Sequence, residues 1–181
     1  MNISEQAWQI PVNDPPVGRD NLHICYPNVN TCLTMTFCFD NFMVGIHLGQ
    51  TMGAPRNDFL QHADLTRYMQ AVKQHIGPRP TPNCTNIFVL GALDAWAAHT
   101  QRNNIIDGLN RWSNELTGNP VPEYRQWDDS VHGTVNIHVN LNRPAPCTYS
   151  FYQANNTLAP SGAVSIVNDG TPVNSTQSLH F

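Results

Sequence analysis

Cys32 and His47 are the residues whose types and spacing can do chemistry together. They lie in the run 31–50, TCLTMTFCFDNFMVGIHLGQ, which is apolar at every second place: Leu33, Met35, Phe37 and Phe39, then Val44, Ile46 and Leu48. Period two on both sides of Asp40-Asn41, a pair that tolerates a tight two-residue turn, predicts a β-hairpin. Pairing Phe39 with Phe42 sets Thr34 opposite His47 and Cys32 opposite Gly49. Cys32 and His47 are then diagonal neighbours on one face, roughly 7–8 Å apart at the backbone. A one-residue slip would separate them, but it would also expose the apolar face.

A thiol beside an imidazole is the minimum for nucleophilic catalysis by cysteine. The ring takes the thiol proton and leaves a thiolate–imidazolium pair. The plainer reading of the same two residues is a small buried cysteine and a strand histidine on a polar face. A third is a metal site built from Cys32 or Cys38 with His47. Cys25, Cys38, Cys84 and Cys147 are expected not to be nucleophiles; Cys38 shares the Cys32 face but falls at the turn end, away from His47.

The elements that must position the pair follow from pattern. The first 24 residues read as an extended segment punctuated by Pro11, Pro15-Pro16 and Gly18, with a short strand begun at 21–26. Residues 27–30 then read as a turn that delivers Cys32 to the hairpin, with backbone N–H groups nearby for an oxyanion. Leu65, Met69, Val72 and Ile76 form one helical stripe that Gly77-Pro78 stops. NIFVL (86–90) reads as a buried strand. Ile105, Leu109, Trp112 and Leu116 form a second stripe, capped by Asn103 or Asn104. Val135, Ile137, Val139 and Leu141 alternate as a half-buried strand, and 147–152 and 164–167 read as further strands. His132 and His138 share a face but lack a third convincing ligand, and Asp128-Asp129 reads as a solvated turn.

The chain of 181 residues reads as one domain: 1–24 extended, 25–167 a catalytic-type core, 168–181 a turn and tail. The fold class is α+β, a layered sandwich of a mainly antiparallel sheet packed against helices. Net charge −4 without a basic run argues against nucleic acid or an anionic membrane as partner, and no run is long enough to span a bilayer. Five cysteines without a C-x-x-C suggest reduced thiols, and no secretory signal is visible, so a cytoplasmic location or a signal-independent exit is expected. Lys73 is the single lysine, a bias seen in toxins that enter a host cytosol and equally produced by codon usage.

In its hairpin, its Cys-to-His spacing (47 − 32 = 15) and the elements that follow, the chain resembles the cysteine–histidine protein glutamine deamidases. These include CheD, the cytotoxic necrotizing factor catalytic domain and the Burkholderia lethal factor. HADLTRYMQAVKQHI is similar to the CheD first helix, NIFVLGA to its core strand, QRNNIIDGLNRW to its second helix and HGTVNIHVN to its next strand. The resemblance covers roughly 31–142. Where CheD has a threonine before its cysteine, this chain has Tyr26, and its double glycine is Gly91-Ala92 here.

The resemblance implies hydrolysis of a glutamine side-chain amide in a protein substrate, without metal or cofactor. Cys32 would form a thioester and His47 would protonate the departing ammonia. Tyr26, Asn30, Thr31 and Thr34 are candidates to support or orient the pair, through side chains or a carbonyl of the 26–30 loop. An effector or toxin acting on a host protein is the setting this implies. A catalytically silent protein-binding module on the same scaffold is the alternative. The Cys32/Thr34/His47 face is expected to be open to solvent.

Overall fold

The computed structural model describes residues 1–3, 17–49, 51–52, 58–59, 62–77, 84–97, 102–118, 123–127, 134–143, 146–154, 172–173 and 175–176. The predicted strands at 164–167, Asp128-Asp129 and His132 lie outside them. The hairpin forms as β3 (Leu33–Phe39) and β4 (Met43–Leu48), in the register read from the sequence, with Thr34 opposite His47 and the Phe39 N–H donating to the Phe42 carbonyl at 2.8 Å. It forms the middle of a six-stranded sheet with β1 (Val17–Asp20), β7 (Cys84–Gly91), β8 (Glu123–Trp127) and β12 (Ser175–Thr176). The order is β1-β4-β3-β7-β8-β12, and β7–β8 is its parallel pair.

A parallel pair needs a crossover, and here it carries helices α2 (Leu93–Ala97) and α3 (Arg102–Thr117). With α1 (His62–Ile76) they form a layer on one face of the sheet. Of the stripes predicted for α1 and α3, Met69, Val72, Ile76, Leu109, Trp112 and Leu116 lie in that core and pack with Leu33, Met35, Phe37, Val44, Ile46 and Leu48. Gly77 and Gly118 end α1 and α3 at positive φ, 97° and 75°, as helix-stop glycines do. The second helix opens at Arg102, so neither Asn103 nor Asn104 is its cap.

The other face carries a second sheet, ordered β11-β10-β9-β2, from β2 (His23–Val29), β9 (Val135–Asn140), β10 (Thr148–Gln153) and β11 (Pro172–Val173). A short ladder joins β5 (Thr51–Met52) and β6 (Asp58–Phe59). The chain is a mixed α+β protein of two sheets and few helices. The expected turn at 27–30 is instead a bulge within β2, where the register shifts between Tyr26 and Val29 and Asn28 adopts φ 57°. Asn28 is held there by its N–H donating to Asn136 Oδ1 at 3.0 Å. The ends of the chain also join the sheets. Asn2 bridges Cys25, β1 edges the large sheet, and β11 and β12 add to one sheet each.

Candidate active site

Cys32 lies between the bend at Asn30-Thr31 and the start of β3, and His47 lies near the end of β4. Thr34 pairs directly with His47, and Cys32 precedes Thr34 by one period of the strand, as the register requires. Cys32 packs in the core between the two sheets with Tyr26, Leu90 and Ile3, which places it on the inner face. That face is not open. Cys32 is 3% exposed, and Thr34 and His47 are fully buried beneath the second sheet.

A face that reads as polar can be buried when its polar atoms are satisfied within the protein. Thr34 Oγ1 donates to the Leu90 carbonyl at 2.9 Å. Tyr26 Oη donates to the Met35 carbonyl at 3.2 Å, which leaves Thr36 Oγ1 as the donor in their 2.6 Å bond. His47 Nδ1 donates to the Ile3 carbonyl at 3.1 Å. In a neutral ring this assignment places the lone pair on Nε2, the nitrogen a general base uses. The carbonyl that orients the ring therefore comes from residue 3, not from the 26–30 loop.

Of the supporting candidates, Tyr26 does touch the site. Its ring meets that of His47 edge-on, with centroids 6.0 Å apart at 87°. Gly45 makes this possible, because a Cβ there would overlap the Tyr26 hydroxyl and come within 3.0 Å of its ring. Burial pushes the Tyr26 phenol far above its usual range, so it stays neutral. Thr34 is committed to Leu90, and Asn30 and Thr31 are exposed in the bend.

Two features that hold Cys32 were not read from the sequence. Trp96 of α2 donates Nε1–H to the Thr31 carbonyl at 2.7 Å, and the Ala92 N–H donates to the Cys32 carbonyl at 3.1 Å. Gly91 lets this happen, since a Cβ there would overlap the Cys32 carbonyl and approach Leu33 Cα to 2.9 Å. The peptide that carries the thiol is thus gripped from both sides. The signal was the Gly91-Ala92 pair followed by Trp96, at the end of a buried strand.

Three other thiols are set apart chemically. Burial pushes Cys84 up to about 12 and Cys38 further still, so both stay protonated near neutrality. A hydrogen bond from Cys38 holds Cys147 below the ordinary thiol range. Among the described residues, no group of three or more His, Cys, Asp or Glu side chains is placed to hold a metal ion, and no helix is long and apolar enough to cross a membrane.

No protein-family model matches the chain, and neither a curated protein nor a solved structure matches it.

Proposed function

We propose that Cys32 and His47 form a catalytic dyad that hydrolyses the side-chain amide of glutamine in a protein substrate, on a scaffold of the CheD and necrotizing-factor kind. The observation that supports this reading is the His47 Nδ1–Ile3 carbonyl bond, with Cys32 two residues before Thr34, the register partner of His47. A base held through one nitrogen leaves the other for the nucleophile, which is the logic of catalytic triads. The order of elements supports it too. The segments that resemble the family's helices and strands fall on α1, β7, α3 and β9 in that order, with α2 added between β7 and α3 and β8 between α3 and β9.

In this mechanism His47 takes the thiol proton and Cys32 attacks the carboxamide carbon. The tetrahedral oxyanion is held by backbone N–H groups of the bend, and the imidazolium protonates the departing ammonia. Water activated by His47 then cleaves the thioester. With the inner face covered, glutamine reaches sulfur from the bend, where Asn30 and Thr31 are exposed next to Cys32.

The full burial of His47 and Thr34 favours the second reading, a catalytically silent protein-binding module. Incubating candidate host and bacterial proteins with the chain, and searching for a glutamine that gains about one mass unit, separates the two. Conversion by the wild type and none by Cys32→Ser supports the enzyme. Stable capture of a partner by both, without conversion, supports the module.

A further inference from the structure

On the other side of β2, away from the core between the sheets, stands a second thiol–imidazole constellation. Cys25 and His138 pair directly across β2 and β9. Ile24, Tyr26, Ile137 and Val139 point into the inter-sheet core, so the alternation turns Cys25 and His138 together onto the opposite face. Cys25 Sγ lies 3.4 Å from His138 Nε2, and His138 Nδ1 lies 2.8 Å from His23 Nε2. The Tyr152 ring meets the His138 ring edge-on at 5.1 Å and 69°, fixing its plane.

Three groups in this order make a relay. If the Cys25 thiol donates to Nε2, then Nδ1–H of His138 donates to His23 Nε2, and both bonds are satisfied with neutral rings. Moving the thiol proton to Nε2 gives a thiolate and an imidazolium whose second N–H still has an acceptor. This is the nucleophile–base–orienter arrangement, with an imidazole in the place of a carboxylate. Cys25 is fully buried, His138 is 4% exposed and His23 is half-buried. Cys25 has no solvent-accessible surface, so a peptide or large electrophile is excluded and a small oxidant reaches the sulfur through local opening of the β2–β9 pair.

Against the sequence expectation that Cys25 is not a nucleophile, we propose that Cys25, His138 and His23 form a second thiol site, which reacts with hydrogen peroxide to give a sulfenic acid. The thiolate attacks one peroxide oxygen, forming the S–O bond as the O–O bond breaks. Sulfur is oxidised by two electrons and the peroxide is reduced. The leaving hydroxide takes the proton from His138 Nε2 and departs as water, so the balance is thiol plus peroxide to sulfenic acid plus water. Cys25 and His138 carry the chemistry, and His23 is a positioning residue acting through His138.

The test uses the full chain carrying Cys32→Ser, so the result does not depend on the proposed dyad. Limited hydrogen peroxide is added at neutral pH, timed samples are quenched by unfolding the chain in a sulfenic-acid-trapping dione, and adducts are mapped by mass spectrometry. The expected result is trapping at Cys25 at least about tenfold faster than at Cys38 and Cys84, with His138→Gln slowing it roughly a hundredfold. Because His138 is buried, the half-buried His23 provides the second arm. His23→Leu should slow trapping about tenfold, and His23→Gln, which still accepts from Nδ1–H, should restore most of it. Trapping at Cys25 no faster than at Cys38 and Cys84 overturns the proposal. So does a His23→Leu rate equal to that of the parent.

Discussion

Replacing Gly45 by alanine tests how the site is packed, because two physical effects of opposite sign compete there. In open space a methyl at a strand-interior glycine stabilises by roughly 0.5–1 kcal/mol, by reducing the freedom of the unfolded chain. At Gly45 the new Cβ would overlap the Tyr26 hydroxyl and come within 2.9 Å of Ile3 Cδ1. Tyr26 must then swing away, giving up its bonds to the Met35 carbonyl and Thr36 Oγ1. Overpacking and two lost buried hydrogen bonds together cost about 2–4 kcal/mol. The net expectation is a loss of about 1.5–3 kcal/mol, which at an m-value of about 2 kcal/mol/M lowers the urea midpoint by about 1 M. Tyr26→Phe alone should cost about 1–2 kcal/mol, and the double variant should cost less than the sum by about 1 kcal/mol, since removing the hydroxyl removes the clash. A neutral or stabilising Gly45→Ala, or strict additivity, would refute the packing described for Tyr26 and His47.

Trp112→Ala should cost about 3–5 kcal/mol in urea unfolding, because Trp112 is buried between α3 and the hairpin face; a loss below about 1 kcal/mol contradicts that core. Trp96→Phe keeps most of the volume but loses the bond to the Thr31 carbonyl, and should cost about 1–2 kcal/mol; an unchanged midpoint would mean the grip on the Cys32 peptide is not made. Stability should also fall with alkali. The folded chain keeps protons on Cys84 and Cys38 that the unfolded chain releases above about pH 8.5, so stability is full below that pH. It should then decline toward pH 12 by about 1.4 kcal/mol per pH unit for each such group. Urea midpoints from pH 8 to 10 measure this, and Cys84→Ala should flatten the decline; an equally steep decline in that variant contradicts the assignment.

The hairpin register was legible because both halves alternate over many residues and the apolar face admits no slip. The stripes of α1 and α3 were legible for the same reason at helical period. β8 was hidden by its composition, EYRQW, in which Gln126 is buried yet satisfied: its Nε2 donates to Asp94 Oδ2 at 2.7 Å and its Oε1 accepts from the Asp94 N–H at 3.1 Å. α2 has five residues, too few to show a period. The expectation of an open face around Cys32 failed for a physical reason. Thr34, Thr36 and His47 look like solvent-facing residues in sequence, but each meets a carbonyl or a hydroxyl brought by β7, β2 or residue 3. Long-range hydrogen bonds of that kind leave no local pattern. Neither does the pairing of Cys25 with His138, 113 residues apart.

The central claim, that His47 activates Cys32, can be measured without knowing the substrate. The rate of Cys32 alkylation by iodoacetamide is followed from pH 5 to 9 in the wild type and in His47→Ala, with adducts mapped so that Cys147 is counted separately. A thiolate–imidazolium pair predicts that wild-type Cys32 reacts at pH 6 at least about tenfold faster than in His47→Ala, the two rates converging above pH 9 as the unassisted thiol ionises. Equal rates for the two proteins at pH 6 would contradict the dyad.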